Sequence, residues 1–294
     1  MFTTILTCDP ARASLDAPTI EALRNAWGGG DARWLARGIA AEFDMPARHD
    51  PAEARAGLDA MGVDVNVVPA EGRRKRLLLA DMDSTMIRQE CIDELAAEAG
   101  VGDRVAAITA RAMNGEIGFE GALRERVGLL AGLDVSVIDR VLAERITPMP
   151  GGAVLVATMR AGGAHAALVS GGFTAFTGAV AADLGFDSHR ANTLLVADGR
   201  LTGAPGEPIL GREAKIARLE ELVTELGIAA DDAIAVGDGA NDLGMLHRAG
   251  MGVALHAKPA VQAEADLVVN HGDLTALLYL QGYREDEFVD PSRN

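Results

Sequence analysis

The chain has 294 residues, 49% hydrophobic and 24% charged, so it can form two domains around a sizeable buried core. A formal net charge of -16 argues against nucleic-acid and anionic-membrane partners, because clustered lysine and arginine bind such surfaces. The two cysteines, Cys8 and Cys91, lack metal-ligand spacing, and without an export signal or a bilayer-spanning apolar run we expect a cytoplasmic protein.

Residues 1–74 predict a small α+β domain. The run Arg73–Arg76 predicts an exposed boundary, because short charge runs are usually solvated. Packing, dimer contact and binding of a small effector all remain open as roles for this domain. Strand-like and helix-like segments alternate in it at 3–8, Ala17–Trp27, Pro51–Met61 and Val63–Val68.

Residues 75–294 predict a larger α/β domain. Short apolar runs, each ending in a polar or glycine-rich turn, alternate with helical stretches. This pattern is typical of a Rossmann-like, mostly parallel sheet in three layers, with helices on both faces. The runs are Leu77–Ala80, Ala166–Val169, Ala233–Val236, Gly252–Leu255 and Leu267–Val269.

Two segments interrupt this alternation. The insert from about Arg88 to Arg145, which follows the first strand, has helical periodicity throughout, so we expect a helical cap. In Thr193–Thr202, the pair Asp198-Gly199 separates two β-prone runs, which predicts a hairpin with a tight turn.

Reactive side chains follow three of the predicted strands. Asp81 and Asp83 follow the first, Ser170 the second and Asp238 the third. In an open parallel sheet these ends lie side by side, so the residues should converge on one crevice. Three neighbouring carboxylates would repel one another, and a hard cation such as Mg2+ relieves that repulsion. A single aspartate here would more simply cap a helix or a turn, but the ordered set favours chemistry.

The ordered motifs resemble those of the haloacid dehalogenase superfamily and, more narrowly, the phosphoserine phosphatases. The match covers about Leu77 to Leu278, and it implies a haloacid dehalogenase-like fold preceded by an ACT-like or ferredoxin-like domain. The segments that carry the resemblance are Asp81–Glu90, Phe119–Val127, Ser170–Phe173 and Gly237–Asp242.

The resemblance implies a role for each matched position. Asp81 would attack phosphorus, Asp83 would be the general acid and base, and one Mg2+ would be held by Asp81, Asp238 and the Asp83 backbone carbonyl. The phosphate-binding and supporting set would be Ser170, Gly171, Lys215 and Asn241, with Gly172 and Asp242. The chemistry agrees, because a departing alkoxide needs a nearby acid and a transferring phosphoryl group needs positive charge and backbone N–H groups.

Substrate choice should come from the cap. Phe119, Leu123 and Arg126 share one helical face, whereas Arg124 points elsewhere. Arg126 can fork onto a carboxylate, and Glu90 can pair with an ammonium group. By themselves these would more simply be surface charges and a cap-core phenyl ring. The resemblance implies that Glu90 and Arg126 recognise an amino acid and that Phe119 shields it.

The leading hypothesis is hydrolysis of O-phosphoserine to serine and phosphate, the last step of serine biosynthesis in the family that the chain resembles. A rival hypothesis is the same chemistry with another phosphate donor or acceptor, such as phosphotransfer to homoserine. A rival of another class is a catalytically silent amino-acid or phosphate sensor. The oligomeric state stays open, with a homodimer among the alternatives.

Overall fold

The structure, a computed structural model, describes residues 1–113 and 116–293. Across these residues, strands β1 to β12 are Phe2–Cys8, Arg33–Ala36, Ala40–Met45, Val63–Pro69, Leu77–Ala80, His165–Phe173, Ser188–Asn192, Leu194–Ala197, Arg200–Pro205, Ala233–Gly237, Met251–Leu255 and Leu267–Val269. Helices α1 to α12 are Ala17–Trp27, Ala52–Asp59, Cys91–Glu98, Gly102–Met113, Phe119–Gly128, Val137–Glu144, Gly152–Ala161, Thr174–Leu184, Arg212–Leu226, Leu243–Arg248, Pro259–Gln262 and Ala276–Leu280. Within the same ranges, no helix combines the length and apolar character needed to span a lipid bilayer.

The larger sheet has the strand order β12-β11-β10-β5-β6-β7, and its neighbouring strands pair in parallel. β5 shows why: Leu78 and Ala80 belong to one hydrophobic cluster, while Leu77 and Leu79 belong to another. Its side chains are therefore buried on both faces, as in parallel sheets covered by helices on each side. The predicted sheet and its strands are confirmed.

β6 and β7 lie on one side of β5, and the later strands β10 to β12 lie on the other. The strand order therefore reverses direction at β5. Such a reversal opens a crevice at the carboxyl ends of the strands, where Asp81 and Asp238 follow β5 and β10. One detail of the prediction is wrong: Ser170 does not end its strand. β6 continues to Phe173, with a register shift against β7 between Val169 and Phe173.

The amino-terminal elements follow the order β-α-β-β-α-β and form an antiparallel sheet of order β2-β3-β1-β4. This is the ferredoxin-like arrangement. The two faces of β1 have different neighbours, since Ile5 packs in the cluster of the larger sheet whereas Leu6 packs in that of α1 and α2. The sequence did not predict β2 and β3.

Two buried polar side chains of β4 join the sheets. Asn66 donates from Nδ2 to the carbonyl of Val268 at 2.8 Å and accepts the Val268 N–H at 2.9 Å. Asp64 accepts the backbone N–H groups of the loop after β12, at residues Asn270, His271 and Gly272. The edge of the larger sheet is therefore covered by side chains of the smaller one.

The expected exposed boundary at Arg73–Arg76 is wrong for Arg73. Its side chain is only 10% exposed, and Nη2 lies 2.7 Å from the buried carboxylate of Glu42. The same guanidinium donates to the backbone carbonyls of Tyr279 and Leu280 at the end of α12. Because Arg73 satisfies groups on both sides, it fastens the connection between the sheets.

The cap consists of α3 to α6 in its described part, so the predicted helical insert is confirmed there; residues 114 and 115 of that prediction lie outside the described residues. The predicted hairpin forms from β8 and β9, and Asp198 and Gly199 have left-handed φ values of 51° and 74°. Leu201 of β9 exchanges backbone hydrogen bonds with Gly132 and Leu133 of the cap. The hairpin therefore packs as part of the cap.

Candidate active site

A crevice of about 150 Å3 lies between the sheet edge and the cap. It brings together residues that are far apart in sequence, as the strand topology requires. Predicted residues that line it are Asp81, Asp83, Glu90, Phe119, Arg126, Ser170, Gly171, Gly172, Asp238 and Asn241. Lys215 and Asp242 lie buried beside Asp81, 2% and 0% exposed.

Asp81 is 5% exposed at the floor of the crevice. Its backbone N–H donates to the carbonyl of Val236 at 3.0 Å, which continues the pairing of β5 with β10. Its carboxylate Oδ1 lies 2.7 Å from Nζ of Lys215. Sheet geometry therefore fixes the backbone, and one buried cation holds the side chain.

Lys215 also contacts a second carboxylate. Its Nζ donates to Oδ1 of Asp242 at 2.6 Å, and the other oxygen of Asp242 accepts the N–H of Gly239 at 3.0 Å. Gly237 permits this approach, because a Cβ there would lie 2.4 Å from Cγ of Asp242. Asp242 thus positions Lys215 and the loop after β10.

The electrostatics of the site are dominated by buried negative charge. Burial and then the carboxylate of Asp242 raise the pKa of Asp81 well above its usual range, against the effect of Lys215. Burial, again followed by Asp242, raises the pKa of Asp238 to about 6. For Lys215, burial opposes the charge, but Asp81 and Asp242 outweigh it and raise the pKa of the ammonium. One lysine thus shares a site with several carboxylates.

The acidic cluster fits a hard cation. Carboxylate oxygens of Asp81, Asp238 and Asp242 lie within 4.8 Å of one another. Oδ1 of Asp81 is buried and, apart from its ion contact with Lys215, receives no hydrogen bond from the described residues. The Asp83 side chain is not part of this trio. An oxygen-only donor set of this kind suits Mg2+ or a similar ion.

Asp83 is oriented by two donors. Oδ1 accepts the N–H of Cys91 at 3.0 Å, and Oδ2 accepts the hydroxyl of Ser170 at 3.3 Å. Gly172 lies close by, since a Cβ there would stand 2.7 Å from Oδ2. Burial raises the pKa of Asp83, and Cys91 acts against it through its side chain and then its backbone N–H. A carboxyl with a raised pKa can carry a proton and then give it up.

The Ser170–Gly172 segment lines the sheet side of the crevice. Ser170 is 3% exposed, and its Oγ accepts the N–H of Gly172 at 2.8 Å. The sequence reasoning missed Asn192, a buried residue whose side chain donates to the carbonyl of Gly171 at 2.9 Å. A single asparagine before a predicted hairpin carries no chemical signature, so only the fold identifies it.

The cap supplies the other side of the crevice. Phe119 is 41% exposed, so its alternative interpretation as cap core is wrong. Arg126 and Leu123 line the crevice. Arg124 is exposed outside it, as its position on the helix predicted, and pairs with Glu207 at 2.6 Å. Burial lowers the pKa of Arg126, which marks a guanidinium partly removed from water.

Glu90 lies at the mouth of the crevice. It accepts the hydroxyl of Ser84 at 2.7 Å, from a residue held at a left-handed φ of 55°. Desolvation, followed by the neighbouring Asp83 carboxylate, raises the pKa of Glu90 to about 7. An incoming ammonium group would favour the ionised form.

Residues 78–247 match the sequence family of haloacid dehalogenase-like hydrolases. A phosphoserine phosphatase of Streptomyces coelicolor is 47% identical over 231 residues, which cover 78% of this chain and 56% of that protein. A phosphoserine phosphatase of Archaeoglobus fulgidus is 43% identical over 247 residues, 81% of this chain and 71% of that protein. The matched region thus spans 56% of the first relative and 71% of the second.

Two solved structures are similar in fold. A hydrolase of the same family from Salmonella enterica serovar Typhi superposes with a TM-score of 0.86 at 30% identity, covering 98% of this chain and all of that one. A phospho-aspartyl intermediate analogue of phosphoserine phosphatase gives a TM-score of 0.65 at 40% identity, covering 70% of this chain and 98% of that one. The first similarity includes the amino-terminal sheet.

Proposed function

The chain belongs to the haloacid dehalogenase-like hydrolases, and from that premise we propose that it hydrolyses O-phosphoserine to serine and phosphate through an aspartyl-phosphate on Asp81. The observation that carries this proposal is one crevice with two chemically different sides. The sheet side offers a buried carboxylate, a lysine and a phosphate cradle. The cap side offers the charges that an amino acid needs.

In the first half-reaction, a carboxylate oxygen of Asp81 bonds to phosphorus while the bond from phosphorus to the serine oxygen breaks. Asp83, protonated, gives its proton to the departing oxygen and becomes a carboxylate. The two side chains are two residues apart after β5 and face the same crevice. The products of this step are free serine and phosphorylated Asp81.

In the second half-reaction, Asp83 takes a proton from water as the water oxygen attacks phosphorus. The bond to Asp81 breaks, which releases phosphate and regenerates both carboxyl groups. Ser170 and Lys215 would hold the phosphoryl oxygens throughout, since charge spread over these oxygens is the main target for stabilisation. Asn241, exposed at the rim, would add a contact there.

We assign the cation to Mg2+, held by Asp81, Asp238 and the backbone carbonyl of Asp83, with Asp242 supporting. Bound there, the ion would neutralise charge on the phosphoryl oxygens. The proposal is supported by the carboxylate trio and by the raised pKa values of Asp81 and Asp238.

Specificity for serine would come from the cap. Arg126 would bind the α-carboxylate and Glu90 the α-ammonium, while Phe119 would cover the reacting group. Two opposite charges at the same end of the crevice suit a zwitterion better than a simple phosphate ester.

Steady-state kinetics with phosphoserine, phosphothreonine and p-nitrophenyl phosphate in the presence of Mg2+ would test this proposal. We expect kcat/KM to favour phosphoserine by roughly tenfold or more, which corresponds to about 1.4 kcal/mol. Equal values for all three esters would contradict the serine assignment and leave a general phosphatase. A wild-type protein that binds phosphoserine without turnover would support the sensor hypothesis.

Phosphotransfer to homoserine is the remaining chemical alternative. Phosphorus NMR during turnover, with homoserine added, distinguishes it, because only transfer produces phosphohomoserine. A cytoplasmic location and a homodimer remain predictions, which cell fractionation and light scattering would test.

A further inference from the structure

Asn192 is a buried amide at the end of β7 with no role assigned above beyond its contact with Gly171. It is 2% exposed. Its Nδ2 donates to the carbonyls of Gly171 at 2.9 Å and Leu210 at 3.1 Å, and its Oδ1 accepts the N–H of Leu210 at 2.7 Å. Both amide hydrogens are therefore used, and the side chain joins two separate backbone segments.

The first segment is the phosphate cradle. The carbonyl of Gly171 and the N–H of Gly172 belong to one planar peptide unit. Asn192 holds the carbonyl, and the N–H at the other side of that unit donates to Oγ of Ser170 at 2.8 Å. Fixing one side of the plane therefore fixes the direction of the N–H and the place of the Ser170 hydroxyl.

The second segment leads to the lysine. Leu210 precedes Gly211, the N-cap of α9, and Lys215 lies four residues beyond that cap. A hydrogen bond of 2.7 Å from the N–H of Gly206 to the carbonyl of Thr193 closes the base of the hairpin beside it. The start of the helix that carries Lys215 is thus held against β7.

The cap phenyl ring rests on the same two segments. A Cβ added at Gly171 or at Gly211 would stand 3.4 Å from the ring of Phe119. The ring therefore lies against both glycine backbones, between which Asn192 is the buried link. A shift of either segment would move the cradle, the lysine helix and the seat of Phe119 relative to one another.

We propose that Asn192 is a positioning residue for phosphoryl transfer, which sets the separation between the Ser170–Gly172 cradle and the start of the Lys215 helix. This inference rests on the proposed function. The alternative is that Asn192 only satisfies buried backbone groups. Asn66 provides a matched comparison, because it is 1% exposed and bridges both backbone groups of Val268 outside the crevice.

The test compares Asn192→Asp with Asn66→Asp. Each change keeps the acceptor for a backbone N–H and removes the side-chain donors, so both should lower the melting temperature. Only Asn192→Asp should lower kcat and raise the inhibition constant of inorganic phosphate, each by roughly 10- to 100-fold, because small misplacements of reacting groups have effects of that size. Values of both constants that match those of Asn66→Asp would overturn the proposal.

Binding of inorganic phosphate tests the positioning role of Asn192 separately from the proposed function. A wild-type protein without turnover would contradict the proposed function, while the effect of Asn192→Asp on phosphate binding would still test the positioning role. If the variant does not fold, hydrogen exchange on the wild type replaces it. Phosphate should then protect the amides of Gly172 and Leu210 together, and protection of Gly172 alone would contradict the inference.

Discussion

The Nζ of Lys215 lies 2.7 Å from Oδ1 of Asp81, so the proposed nucleophile is in direct contact with a buried cation. Lys215 also contacts the carboxylate of Asp242, at 2.6 Å. The contact lowers the pKa of Asp81 against the stronger effects of burial and of Asp242, and it places the ammonium where a phosphoryl oxygen would arrive.

Lys215→Ala should destabilise the protein by about 3–5 kcal/mol, because it leaves buried carboxylates without their partner. Urea unfolding with EDTA present would measure this change without help from a metal. Lys258→Ala is the control, since Lys258 is exposed, and it should stay within about 0.5 kcal/mol of wild type. A Lys215 variant as stable as that control would mean that the ion contacts contribute nothing to stability.

Asp81→Asn should lower kcat by roughly 10³-fold or more, because the amide cannot form the phosphoryl-enzyme. The fold should persist, since the change also removes repulsion with Asp242. Calorimetry should then show phosphoserine binding with an unchanged melting temperature. Turnover within tenfold of wild type would exclude Asp81 as the nucleophile.

Arg126→Ala should lower kcat/KM for phosphoserine by roughly 10- to 100-fold, because it removes hydrogen bonds to a charged group and their loss has an effect of that size. Turnover of p-nitrophenyl phosphate, which has no carboxylate, should fall far less. Arg124→Ala lies on the same helix and is the matched control, with no effect on either ester expected. Equal losses on both esters in the Arg126 variant would argue against a carboxylate clamp.

The raised pKa of Glu90 predicts a specific pH dependence. A carboxyl with a pKa of about 7 gains a proton as pH falls below that value, so it loses its attraction for the substrate ammonium. KM for phosphoserine should therefore rise on the acid side of pH 7. Titration of Asp238 affects every phosphate ester, so p-nitrophenyl phosphate isolates the Glu90 effect. Glu90→Gln should abolish the difference between the two esters, and a persistent difference would assign it to another group.

EDTA should abolish turnover, and added Mg2+ should restore it. Mg2+ should also raise the melting temperature, because an ion that binds only the folded state stabilises it by mass action. Asp238→Asn should weaken both effects, since it removes one of the carboxylates in the trio. Activity that survives chelation would contradict the metal assignment.

The sequence predicted the larger sheet well, because strands buried on both faces appear as continuous apolar runs such as Leu77–Ala80. It missed β7, whose sequence SHRAN is polar, and it missed β2 and β3, where charged residues interrupt the pattern. These strands exist because neighbours pair with them. Tertiary context, rather than local composition, decides such elements.

The candidate site, too, could be predicted from the sequence only in part. Asp81 and Asp238 could be placed from the sequence, because parallel strand ends meet at one edge. Neither Asn192 nor the buried state of Arg73 could be inferred, since each depends on backbone groups contributed by distant segments.

The contacts of Asn66 and Asp64 with the end of the larger sheet make residues 1–72 a cover for an otherwise open strand. A shortened protein beginning near Arg73 would display the free backbone groups of β12 and the loop after it. Open edges of this kind pair readily between molecules. We therefore expect such a truncation to form aggregates, so effector binding to the amino-terminal sheet is better tested by point substitutions in the 294-residue chain.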